Sequence, residues 1–310
     1  MQLILVTGAT GFLGRELCSW LSSSGFKVRA VIRSETLGFS DNIESVIIPD
    51  INSTTDWTEA LVGVDCVIHC AAISSASSRA TPRQARQMHE LNVLGTKRLV
   101  EEAAKKAVRR FIFISSIKVN GSGTSRNSGF TENDPPAPVD SYGLSKWAAE
   151  CAIREVECSG GIEVVILRPP LVYGEGAKGN LNKLTKLIRL GIPLPFKSIV
   201  NERSILSLDN AMDIILRCIN SKSVAGETLL IADRVPITTP HLLRQLANDA
   251  ARPLILFAVP AWVLRVVAFM FGKTEEIERL MDSLVINSSK LETLLGSESK
   301  RLKAARIGGR

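Results

Sequence analysis

The chain has 310 residues, 45% apolar and 22% charged, ordinary for a soluble globular protein and enough for one large α/β domain or one domain with a smaller appendage. Aromatics at 5% leave little for stacking on nucleic-acid bases, so no nucleic-acid partner is expected. The formal charge of +7 would suit a phosphate-bearing small molecule, and part of it lies in a basic tail, 297–310, that reads as solvated or disordered.

Along the first half, short apolar runs alternate with helical patterns. Residues 3–8, 27–33, 44–50, 64–72, 109–116 and 162–170 are nearly continuous Val/Ile/Leu segments, the pattern of strands covered on both faces. Between them, 12–24, 85–107 and 142–157 read as helices. Strand–helix–strand repetition predicts an α/β fold with a doubly wound parallel sheet over residues 1–170. Beyond 170 the rhythm weakens: loops such as "YGEGAKGN" and "GIPLPF" separate helices at 208–218 and 239–250. Residues 171–296 are expected to form a smaller, mostly helical substrate-binding region, with the chain crossing between the two parts. Asp209 is read as a helix N-cap.

Residues 254–271, "LILFAVPAWVLRVVAFMF", approach the length of a membrane span but are interrupted by Pro260 and Arg265. They predict a short buried strand and a core-packed helix from near Pro260, with no membrane span. The chain opens on "MQLILVTGATG" without a leader pattern, which predicts the cytoplasm. The six cysteines lack C-x-x-C spacing and read as small buried hydrophobes. Three scattered histidines offer no zinc pattern, and no metal is expected.

The chemistry begins at "VTGATGFLG". Gly8, Gly11 and Gly14 follow the first strand and open the first helix, where backbone N–H groups and the helix dipole suit a pyrophosphate. At the end of the second strand, Arg33 suits a ribose 2′-phosphate, which favours NADP(H); Glu35 nearby keeps NAD(H) open. "SYGLSKWAAE" places Tyr142 and Lys146 at i and i+4 on one helix face. A nearby ammonium favours a phenolate, so the pair suits proton transfer. Ser116, at the C-terminal edge of the fifth strand, lies where ligands of parallel sheets bind.

Together with H-C-A-A at 69–72, N-V-L-G-T at 92–96, S-S at 115–116 and R-P-P-L-V-Y-G at 168–174, these motifs resemble the extended short-chain dehydrogenase/reductase family, in its nucleotide-sugar epimerase/dehydratase branch, over roughly residues 1–296. Strings such as "SSIKVNG" and "RPPLVYGEGAKGN" are similar to a bacterial group of UDP-sugar 4-epimerases and UDP-N-acetyl-quinovosamine-type 4-keto-reductases, linked to surface-polysaccharide biosynthesis. The resemblance implies a Rossmann-type domain in which Gly8, Thr10, Gly11, Phe12, Leu13, Gly14 and Arg33 meet the dinucleotide. Asp50 and Ile51 would flank its adenine, and His69, Ala71, Ala72, Asn92, Ser115 and Pro169 would line it. His69 as a merely satisfied core histidine is the alternative. Tyr142, Lys146 and Ser116 would be catalytic, Lys146 also gripping the nicotinamide ribose. Ser116, Asn180, Leu181 and Arg203 would meet the nucleotide-sugar, with Arg279 and Lys178 as stand-ins for a second arginine that is not evident. The resemblance further implies a homodimer built on the two long helices.

Two departures matter. Asn120 stands where many relatives carry tyrosine, and Ile117 and Lys118 replace the Asp-Glu pair that removes water in the dehydratases, so 4,6-dehydration is not expected. The expected reaction is oxidoreduction at C4 of a UDP-sugar, a 4-keto-reductase first and a 4-epimerase second. A non-catalytic NAD(P)-binding redox sensor is the alternative of another class.

Overall fold

Alternation within single strands explains the architecture. In β1 (Leu3–Thr7), Ile4 and Val6 point to one face and Leu5 to the other, and all three are buried. β4 (Cys66–His69), β5 (Arg110–Ile114) and β6 (Glu163–Arg168) repeat this: Ile68, Ile112 and Val165 join the first face, Val67, Phe111 and Val164 the second. A sheet apolar on both faces must be covered on both, so the computed structural model has helices on each side. It describes residues 1–35, 39–74, 80–125, 128–174, 176 and 180–296.

With β2 (Lys27–Ile32), β3 (Ile43–Ile47) and β9 (Glu227–Leu230), these strands form a seven-stranded parallel sheet in the order β3-β2-β1-β4-β5-β6-β9. α1 (Phe12–Ser23), α6 (Leu208–Asn220) and α10 (Ser289–Leu295) cover the first face; α3 (Thr96–Lys105) and α4 (Ser141–Cys158) cover the second. The long helix expected over 85–107 is continuous but compound. α2 (Pro82–Met88) passes through a π-helical stretch, His89–Gly95, into α3. A π-turn locally re-aims side chains, and this one carries Asn92. The order of the strands reverses between β1 and β4, so a crevice opens beyond their C-terminal ends.

The C-terminal part contributes more strand than expected. β9 extends the main sheet alongside β6, and β7 (Leu171–Tyr173) pairs with β8 (Ile205–Ser207) in a small parallel ribbon. A third core joins Tyr173, Leu184, Ile205, Leu243 and Met281, drawn from this ribbon, α5 (Asn180–Arg189), α7 (Thr239–Asp249) and α9 (Thr274–Met281), with Phe196 from the loop after α5.

Two expectations are corrected. α6 is capped by Ser207, whose side chain accepts from Asn210 N at 3.2 Å; Asp209 lies inside the first turn, where its charge suits the helix dipole without capping. α8 (Ala261–Met270) does begin after Pro260, but it buries only Leu264 and Ala268. Trp262, Phe269 and Met270 stay largely exposed, because a ten-residue helix meeting the body along one stripe has a full second face left over. The preceding segment is one bridge, Leu194 to Leu256, with Ile255 and Phe257 exposed. Among the described residues no helix is long and apolar enough to cross a membrane. Cys18, Cys66 and Cys218 are buried as expected, whereas Cys158 is exposed. The tail 297–310 and Lys178 lie outside the described residues.

Candidate active site

The glycine loop makes the first wall. Gly8 has φ +66°, and a side chain there would stand 2.7 Å from Ala71 N. A Cβ on Gly14 would lie 2.3 Å from Gly8 O, so α1 packs onto the loop only because position 14 has no side chain. α1 starts at Gly11 without a side-chain cap and without an acidic residue in its first turn. Its first amides therefore lack intrahelical partners and face the crevice end of the sheet, an arrangement fit for a pyrophosphate. Phe12 and Leu13 reach the cleft directly.

That cleft has a volume of about 870 Å³ and runs from the loop to the C-terminal region. Ala72, Ser115, Ser116, Tyr142, Lys146, Pro169, Leu181 and Arg203 all line it, so the structure gathers candidates from both halves of the sequence around one cavity. Its size suits a dinucleotide-plus-substrate site. Arg33, just past β2, and Asp50, past β3, are exposed at the same edge of the sheet. Ile51 packs so closely on the π-helical stretch that a Cβ on Gly95 would meet it at 2.7 Å. Asn180 opens α5, its side chain lying outside the described residues.

Three candidates are engaged inside the protein. His69 is fully buried: Nδ1 meets Thr7 Oγ1 at 2.6 Å, Nε2 meets Thr96 Oγ1 at 2.9 Å, and its ring stacks on Phe113. Burial, aided by the Lys146 charge, pushes its pKa down to about 3, so it stays neutral and acts as a core bridge. Asn92 donates to Ile73 O and Ser145 Oγ, both at 2.9 Å, and accepts from Ile73 N at 2.8 Å, which fixes the strand-end loop against α4. Ser115 donates to Glu150, which holds Arg168 through two bonds of 3.0 and 2.6 Å; Arg168 also donates to Asn120 Oδ1 at 2.9 Å. Asn120 thus belongs to this buried network.

The chemical centre lies at the start of α4. Asp140 caps it, accepting from Gly143 N at 2.7 Å, and Gly143 itself is required because a Cβ there would stand 2.7 Å from Lys118 O. This close packing sets Lys118 Nζ 5.5 Å from the centre of the Tyr142 ring. Lys146 Nζ, one turn along, lies 6.0 Å from that ring and 4.3 Å from the Phe113 ring, and donates to Ile114 O at 2.7 Å. Burial lowers the Lys146 pKa to about 8. Burial, with the Asp140 charge, raises that of Tyr142 to about 12. The chain alone therefore keeps the phenol protonated, and further positive charge must reach it before it can act as a base.

The far wall is of mixed charge: Lys183, Arg203 and Arg279 line it together with Glu275, Glu276, Glu278 and Asp282. Arg203 donates to Asp282 O at 2.8 Å; burial lowers its pKa, with Asp282 opposing and Arg279 adding to the effect. Arg279 lies 3.8 Å from Asp140, which also receives Lys118. Two cations thus share the Asp140 carboxylate while Arg203 stands near, which brings the Arg203 and Arg279 guanidinium groups to the cleft, where they suit a diphosphate. Sequence reasoning missed Asp140 and Lys118. An Asp directly before the helix was a legible capping signal, but nothing in the sequence showed Lys118 folding back onto Tyr142. Among the described residues no group of His, Cys, Asp and Glu could hold a metal ion.

A dinucleotide cradle at the switch point of a parallel sheet, opening on a tyrosine–lysine pair, defines a class of oxidoreductase fold. Residues 4–232 match the NAD dependent epimerase/dehydratase family. The chain is 37% identical over 295 residues to a UDP-glucose 4-epimerase of Vibrio cholerae, covering 94% of this chain and 89% of that protein. It is 25% identical to an N-acetyl-alpha-D-glucosaminyl-diphospho-ditrans,octacis-undecaprenol 4-epimerase of Escherichia coli O157:H7, over 79% and 72% of the two chains. The fold matches a UDP-glucuronic acid 4-epimerase of Bacillus cereus in complex with NAD at a TM-score of 0.77, with 21% identity over 98% and 92% of the chains. The protein belongs to the NAD dependent epimerase/dehydratase family, within the extended short-chain dehydrogenase/reductases, and is an enzyme of that family. None of these relationships favours the NADP(H) suggested by Arg33.

Proposed function

We propose that this enzyme oxidises and re-reduces C4 of a UDP-sugar, as a 4-epimerase that keeps NAD bound. The observation that carries this reading is the single cleft shared by the glycine cradle, the Tyr142–Lys146 pair and Arg203. The near full-length similarity to a UDP-glucose 4-epimerase supports epimerisation over net reduction. The exposed Arg33 supports a second reading, a 4-keto-reductase using NADPH, because a guanidinium past β2 suits a 2′-phosphate.

When bound, NAD supplies reversible hydride transfer. Gly8, Gly11 and the first turn of α1 would hold its pyrophosphate, and Lys146 its nicotinamide-side ribose. Tyr142 takes or returns the proton at the sugar O4, with Ser116 hydrogen-bonding the same oxygen. Lys146 favours the phenolate, and Arg203 with Arg279 neutralises the UDP diphosphate. Ile117 and Lys118 provide no carboxylate for removing water, so the sugar keeps its 6-hydroxyl. The two long helices, α2–α3 and α4, are the expected dimer contact, to be checked by light scattering.

The test is to purify the protein, identify any retained nucleotide, and supply UDP-glucose and, separately, a UDP-4-keto sugar with NADH or NADPH. Interconversion of UDP-sugars without net change in nicotinamide absorbance supports epimerisation; stoichiometric loss of reduced nicotinamide supports reduction. Tyr142→Phe should lower turnover by about 10²–10⁴-fold. Full turnover in that variant would refute the mechanism.

A further inference from the structure

The apolar stretch 254–271 serves neither the sheet nor the cleft. Its helix α8 turns Leu264 and Ala268 inward and leaves Trp262, Phe269 and Met270 exposed by 68, 78 and 75%. Trp262, Val266 and Phe269 recur at four- and three-residue steps, so they form one outward stripe along α8, with the exposed Arg265 beside it. Arg265 and Lys273 each pair with a half-buried carboxylate, Asp282 and Glu276, both at 3.6 Å. Phe257 and Ile255 extend the apolar surface along the bridge to Leu194. Residues 182–200, reached through that bridge, carry Lys183, Lys186, Arg189 and Lys197 and no acidic residue. Exposed Trp and Phe beside Arg265 and an adjoining basic segment suit the headgroup region of a bilayer.

We propose that α8 docks this enzyme on the surface of an anionic lipid bilayer. The aromatic side chains enter the acyl boundary while Arg265 and Lys197, whose backbone N–H donates to Phe257 O at 3.2 Å, meet lipid phosphates. Charge complementarity selects this occupant over a second copy of the chain. A two-fold contact through this surface would bring the basic, acid-free segments 182–200 of two copies toward each other, like charge against like. α9 follows α8 and contributes residues 275–280 to the cleft wall, so docking holds the cleft within about one helix length of the headgroups.

The proposal is independent of which C4 reaction the enzyme runs. The experiment sediments the full chain with vesicles containing phosphatidylglycerol and with vesicles of phosphatidylcholine alone, at low and high salt. A Trp262→Ser/Phe269→Ser variant is run beside the wild type. The wild type should partition to anionic vesicles at least about tenfold better than to neutral ones, with salt erasing the difference. The variant should lose at least about tenfold in partitioning while keeping its melting temperature and UDP-sugar turnover, because both side chains are exposed and away from the cleft. Absence of wild-type binding, or equal binding by the variant, would overturn the proposal. So would a wild-type dimer that becomes monomeric in the variant without any vesicle binding, which would assign the stripe to a second copy.

Discussion

Lys146→Met should abolish activity and stabilise the fold. Lys146 is 1% exposed, and burial brings its pKa from 10.5 to about 8. At about 1.36 kcal/mol per unit, holding the ammonium charged in the folded state near neutral pH costs about 3 kcal/mol. Methionine removes that cost but leaves Ile114 O without its 2.7 Å donor, a loss of about 1–3 kcal/mol. The balance is a net gain of about 1 kcal/mol at pH 7, set against loss of the cation that favours the Tyr142 phenolate. The pH dependence carries the sign. Below pH 8 folded and unfolded chains both hold the proton, and the cost is constant. Between about pH 8 and 10.5 the folded chain has released a proton that the unfolded chain keeps, so wild-type stability rises relative to the variant. Urea denaturation of both proteins across that window measures the difference directly, since every other titrating group is shared. A variant less stable by several kcal/mol at pH 7, or a difference that does not narrow as pH rises, would refute the assignment of Lys146 as a strained buried cation.

Gly14→Ala should lose nucleotide retention and stability by about 1–3 kcal/mol, because its Cβ would stand 2.3 Å from backbone Gly8 O; co-purified nucleotide and melting temperature check this. Arg168→Met leaves Glu150 buried and unpaired and should cost about 3–5 kcal/mol in denaturant unfolding. Arg203→Met should raise KM for the UDP-sugar about tenfold or more with a smaller change in kcat, as expected for a charge-assisted contact to a diphosphate. The pH–rate profile should lack a limb near 6.5 from His69, since burial holds that imidazole neutral down to about pH 3.

Local signals made much of this protein legible. Apolar runs without polar alternation foretold strands covered on both faces, and the glycines at 8, 11 and 14 foretold a cradle, because a backbone that must approach another backbone excludes Cβ. Tyr142 and Lys146 could be paired from spacing alone, since the helix period places i and i+4 together. Long-range placement was not encoded locally. β9 joins β6 across sixty residues of sequence, and four apolar or polar letters, "ETLL", do not reveal a sheet edge. That His69 and Asn92 are hydrogen-bonded inside the protein shows only once Thr7, Thr96, Ile73 and Ser145 are brought around them. Lys118 meets Asp140 and Tyr142 only because Gly143 lets two turns touch. α8 shows the same division: composition foretold a helix, but which of its faces finds a partner depends on the shape of the body it meets. Sequence alone determined which segments must be buried and where the backbone must pass closely. Only tertiary structure decided which polar groups neutralise one another, because burial and charge pairing depend on neighbours distant along the chain.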